Sequence, residues 1–111
     1  MIEAIVIKHL SGLLEVPVYA ERPEEPDDFY ILVEKTGSRE RNLIERSVIA
    51  IQSYAPSLLE AAQLNRKVIG AMKALIEDDR ISSCRKSSDY NFTDTETKSY
   101  RYQAVYEITH D

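Results

Sequence analysis

Glycine is scarce in this chain, with only Gly12, Gly37 and Gly70 among 111 residues. A phosphate-cradling loop needs several glycines at close spacing, so none can be built here. Cysteine is represented by Cys84 alone, which excludes a disulfide within the chain and suits a reducing compartment. No apolar run approaches the roughly 20 residues of a membrane-spanning helix. The start of the chain lacks the basic flank and small-residue cleavage site of a signal peptide, with Glu3 where a positive charge belongs. Cytoplasm is the expected compartment, with no membrane partner.

What is present is the composition of a globular protein, 43% hydrophobic and 30% charged, and a length that fits one domain over residues 1–111. The net charge of −5 is unevenly spread: residues 1–30 hold seven acids against two bases, and residues 31–111 balance. An acidic balance argues against binding to a phosphate backbone, which needs clustered Lys and Arg. A local basic spot at Arg39, Arg41 and Arg46 is interrupted in sequence by Glu40 and Glu45. Sequence-specific nucleic-acid binding is therefore not expected.

Hydrophobic periodicity predicts a helix over residues 2–14, its stripe made of Ile2, Ile5, Val6, His9, Leu10 and Leu13. Val16-Pro17-Val18-Tyr19 reads as a short extended run in which proline is tolerated at a strand start or edge. Residues 21–28, with Pro23, Pro26 and six charges, read as a solvated loop. Phe29–Lys35 is a predicted strand with both faces partly apolar. Thr36-Gly37-Ser38 is expected to break it, leaving Arg39–Asn42 as a charged tip. Leu43–Tyr54 is a longer strand. Ser57-Leu58-Leu59-Glu60 is a capping box that opens a helix expected to run to about Glu77, with a stripe of Leu58, Ala61, Ala62, Val68, Met72, Leu75 and Ile76. Gly70 inside that helix suggests close approach of a neighbouring element.

Ile81–Thr93 and Thr97–Thr109 are expected to form a hairpin about an Asp94-Thr95-Glu96 turn, with Thr93 facing Thr97. That register puts Cys84, Tyr90, Phe92, Tyr100, Tyr102, Ala104, Tyr106 and Ile108 on one face, and Asp89 opposite Arg101 on the other. The whole reads as an α+β fold of order α-β-β-β-α-β-β: a mostly antiparallel sheet of about four to five strands with two helices on one face. The other face is left to water or a partner.

Residues able to do chemistry are few. His9 lies on an apolar stripe and His110 at the end of the chain, where fraying is expected. Cys84 reads as a small buried hydrophobe without a histidine nearby in sequence. Glu24, Glu25, Asp27 and Asp28 lack the alternate spacing, turn glycine and closing glutamate of a calcium loop, and read as a solvated charge run. Tyr100, Tyr102 and Tyr106 form either a stripe packed beneath the helices or an adhesive surface. No catalytic, cofactor-binding or metal-binding set is expected, and function by contact follows.

Several of these segments carry a resemblance. The N-terminal helix leading to Val16-Pro17-Val18-Tyr19, the acidic Pro23/Pro26 loop before Phe29-Tyr30-Ile31-Leu32-Val33, and the Ser57-Leu58-Leu59-Glu60-Ala61-Ala62 helix start are three of them. The closing Tyr90-Asn91-Phe92-Thr93-Asp94-Thr95 and Tyr100-Arg101-Tyr102-Gln103 hairpin is the fourth. Together they resemble the tail-terminator (tail-completion) proteins of long-tailed bacteriophages and prophages. The resemblance implies a virion structural protein of the tail or neck, present in the host cytoplasm during assembly. It implies a homo-oligomeric, usually hexameric, ring that stops tube growth, contacting the major tail tube protein and the head–tail connector. It extends to minor head-completion or neck proteins; a peptide-binding adaptor is the alternative of a different class. Under this reading Arg39 and Arg41 are expected to meet the acidic loop of the next subunit. The Glu24, Glu25, Asp27 and Asp28 loop and the Thr95–Glu96 tip are further contact candidates, and the acidic third also suits the rim of a channel through which DNA slides.

Overall fold

Apolar residues at helical spacing in two segments, and at alternate positions in the strands, are satisfied together by one layered arrangement. The computed structural model describes residues 1–111. In chain order it contains α1 (Ile2–Leu13), β1 (Val18–Tyr19), β2 (Tyr30–Arg41), β3 (Ile44–Tyr54), α2 (Leu58–Met72), a 3-10 turn (Leu75–Glu77), β4 (Ile81–Asn91) and β5 (Arg101–His110). The strands make one sheet in the order β1-β2-β3-β5-β4, in which only the β1–β2 pair is parallel. The fold is α+β, with a mostly antiparallel sheet, as the patterning predicts. No helix is long and apolar enough to cross a membrane.

Both helices lie on one sheet face. Ile2, Val6 and Leu10 of α1 and Leu64, Val68 and Met72 of α2 close over Ile31, Val33, Ile49, Ile51, Ala104, Tyr106 and Ile108. Ser57 starts α2, its hydroxyl oxygen accepting from the Glu60 amide at 3.2 Å as the capping box predicts, while the Glu60 carboxylate accepts from the Ser57 hydroxyl at 2.8 Å rather than from its backbone amide. Pro17 sits just before the edge strand β1, where its carbonyl accepts from the Ile31 amide at 2.9 Å.

Several expectations need correction. Leu13 and Ile76 are exposed, as is Leu58, while Leu64 and Asn65 are buried in the α2 stripe instead. The α-helix ends at Met72, not Glu77; three-residue hydrogen bonds from Ala74 to Ala71 and from Glu77 to Ala74 tighten the chain beyond it. Nothing lies within 4 Å of where a Gly70 Cβ would stand, so no close approach explains that glycine.

The β2 break also does not occur. The strand runs through Thr36-Gly37-Ser38 to Arg41, with a register shift between Lys35 and Gly37 that absorbs one extra residue as a bulge. The chain reverses instead at Asn42 and Leu43, with φ of 54° and 68°, the conformation of a two-residue hairpin turn. In the second hairpin, bulges between Ile81 and Ser83 and between Lys86 and Ser88 shift the register, so Asp89 pairs with Ala104, Tyr90 with Gln103 and Asn91 with Tyr102. Tyr90 and Phe92 thereby leave the helix-covered face, and Asp89 joins it rather than facing Arg101. The hairpin closes through an Asp94–Ser99 bridge around Thr95–Lys98, not around a three-residue turn.

Candidate functional site

The helix-free face of the sheet carries a continuous polar and aromatic chain. Tyr30 and Tyr54 are cross-strand partners whose rings stack at 4.3 Å with an interplanar angle of 7°. The Arg101 guanidinium donates to the Tyr54 hydroxyl at 2.9 Å and lies over the Phe92 ring, 4.5 Å from its centre. Tyr54 donates to Gln52 at 2.9 Å, Gln52 to Gln103 at 2.8 Å, and Gln103 to the Tyr90 hydroxyl at 2.5 Å. Gln52 and Gln103 are buried although no helix covers them. Satisfied amides make that burial tolerable.

Charged side chains cluster at both ends of β2, acids beside Arg22 and Lys98 at one and arginines backed by Glu40 and Glu45 at the other. At one end, residues 21–28 present exposed Glu21, Glu24, Glu25 and Asp28, while Asp27 accepts from the Tyr19 hydroxyl at 2.9 Å. The second hairpin comes to the same end: Lys98, Ser99 and Tyr100 line one concavity together with Asp27 and Asp28. Its tip, with exposed Thr95 and Glu96, is ordered by Asp94, whose carboxylate accepts from the Glu96 amide at 3.0 Å. That backbone hydrogen bond holds the Asp94 carboxyl below its ordinary pKa.

The other end carries the arginines. Arg39 and Arg41 stand on a paired strand, not on a glycine-led loop, and Arg39 is the direct cross-strand partner of Arg46. Strand alternation sends Glu40 and Glu45, themselves partners, to the opposite face. The basic spot that looks interrupted in sequence is therefore uninterrupted in space. Arg39, Arg41, Arg46, Asn42, Ile44 and Thr109 line a concavity of about 340 Å³. The ion pairs of the chain are Arg80–Asp78, Arg85–Glu107, Lys86–Asp89 and the His110–Glu45 contact, so none of these three arginines is neutralised within it. Arg46 was not among the contact residues expected from sequence; the alternation of a longer β2 is the signal that finds it.

The candidates for chemistry do not come together. The His9 Nε2–H donates to the Ala71 carbonyl at 2.7 Å. Cys84 lies instead in a groove with Ile69, Met72, Ile76 and Tyr106, where burial pushes its thiol up to about 11. His110 is not frayed but buried: its Nδ1–H donates to the Asp111 carbonyl at 3.1 Å, and the buried Ser47 hydroxyl donates to Nε2 at 2.8 Å. Glu45 approaches that same Nε2 at 3.5 Å. Serine and carboxylate thus address one nitrogen, whereas a catalytic triad needs them on opposite nitrogens. No three His, Cys, Asp or Glu side chains converge as metal ligands. Neither a protein-family model nor a curated protein matches this chain.

Proposed function

We propose that this protein is a virion structural component of a long-tailed phage or prophage, which caps the head-proximal end of the tail tube and joins it to the head connector as a ring of identical copies. It acts by contact and transforms no substrate. The observation that carries this reading is the opposition of two ends: an arginine-lined arm at one end of β2 and an acidic loop with a hairpin tip at the other. Unlike surfaces at opposite ends favour heterologous, head-to-tail contact, which gives a ring when the rotation closes. The sheet edges add to this. β1 pairs only with Ile31 and Leu32, leaving the rest of β2 an open edge, and β4 is unpaired along its outer side.

The test is to add the purified protein to polymerising tail tube protein. Capping predicts tubes of limited length with added density at one end. Tubes of unchanged length with bare ends overturn the reading. A peptide-binding adaptor is the second reading, favoured by the free β4 edge beside the groove of Ile69, Ile76, Cys84 and Tyr106. A monomer that captures an extended peptide along β4 would select it.

A further inference from the structure

We infer that the arginine-lined arm of β2 and β3 is a socket for the acidic loop, residues 21–28, of a second copy of this chain. The inference rests on the ring-forming reading above and supplies the surfaces that would make the ring.

Three observations converge on the arm. Arg39 and Arg46 are set directly opposite one another, a like-charge placement that is unfavourable in an isolated sheet. No acidic group of the same chain relieves it. At the tip, Leu43 holds a left-handed φ of 68°, a conformation unfavourable for a residue with a Cβ. Leu43 is also 85% exposed and Ile44 48% exposed. Ile44 lies among the arginines, while Leu43 lines the opposite concavity with Glu40 and Glu45; guanidinium groups beside exposed apolar side chains suit a protein surface. A phosphate backbone would use the charges and leave Leu43 and Ile44 without a role.

The complementary surface lies on the same chain, out of its own reach. The acidic loop leads into Tyr30 and the arginines end at Arg41. Twelve extended residues separate the two by about 36 Å at ~3.3 Å per residue. A strand paired with β3 along this length cannot fold back, so the arm and the acidic loop of one chain cannot meet. Guanidinium forks match carboxylates two bonds at a time. Because socket and plug are different surfaces, each bound copy leaves one of each free, and association continues until a ring closes. The acidic loop then belongs to the boundary between subunits, not to the rim of a channel.

The test is a charge swap read by sedimentation velocity, with circular dichroism as a folding control. R39E/R41E/R46E and E24K/E25K/D27K/D28K should each lose self-association by at least ~100-fold. Their equimolar mixture should regain assemblies, because each variant now complements the other at both ends. Leu43→Gly should weaken association while raising the melting temperature, since it removes the strained tip; a residue with only a structural role would not move the two in opposite directions. A wild type that sediments as a monomer at low salt overturns the inference, as does a triple arginine variant that assembles normally. Loss of DNA binding in that variant with assembly unchanged would reassign the arginines to phosphate. Rings that survive charge reversal but still cap tubes would leave the proposed function standing and remove only this socket.

Discussion

The two faces of the sheet bury their residues by different physics. On the covered face, Ile31, Val33, Ile49 and Ile51 are excluded from water by α1 and α2, and the gain is that of apolar area removed from solvent. On the open face no helix is laid over the strands, and Tyr30, Tyr54, Gln52 and Gln103 are buried by one another and by Tyr19, Tyr90 and Arg101, through stacking and hydrogen bonds. The first arrangement tolerates loss of shape gradually. The second depends on every partner being present, because an unpaired buried amide keeps its desolvation cost. A sheet built this way can leave one face free of helices without leaving it soft.

The covered face should break hardest. Ile51→Ala, at a fully buried position, should cost about 3 kcal/mol in urea unfolding through lost transfer energy and an unfilled cavity. On the open face Gln52→Leu removes an amide that both accepts from Tyr54 and donates to Gln103. It should cost about 2 kcal/mol by stranding those groups. Adding Gln103→Leu should recover part of that loss, whereas a second truncation beside Ile51 should add to the first; the sign of the coupling separates the two faces.

A smaller effect follows from titration on the covered face. Burial pushes Cys84 up to about 11 from 9.0, and burial followed by the Cys84 and Asp89 charges pushes Tyr106 up to about 12 from 10.0. Raised folded values mean that the native state holds protons the unfolded chain has released. The associated stability is complete below pH 9 and is lost as pH rises through about 11 for the cysteine and about 12 for the tyrosine. Cys84 is partly exposed, so screening by water leaves about 1 kcal/mol for it. Cys84→Ala should flatten the alkaline limb of a stability–pH curve between pH 9 and 11, and an unchanged limb would refute the assignment.

Much of the fold was legible because its signals are local. Ser57 and Glu60 announce the start of α2 within four residues, and the apolar run of β3 needs no partner to be recognised. The parts that were not legible depend on pairing. Thr36-Gly37-Ser38 has turn chemistry, yet the partner strand turns it into a bulge and carries β2 onward. Bulges beside Ser83 and Ser88 leave no mark in sequence, and through them Tyr90 and Phe92 change faces. His110 lies one residue from the end of the chain but on β5, which runs between β3 and β4. The arginine cluster was hidden for the same reason: Glu40 and Glu45 interrupt it in sequence and pass to the other face only once β2 is known to extend.

The most direct test is the mass and shape of the purified protein, by sedimentation together with negative-stain electron microscopy. Closed rings of one subunit number, dissociating as salt rises, are the predicted result. A salt-independent monomer, or an open filament with no closed form, would contradict the claim that this chain works by joining its opposite ends to copies of itself.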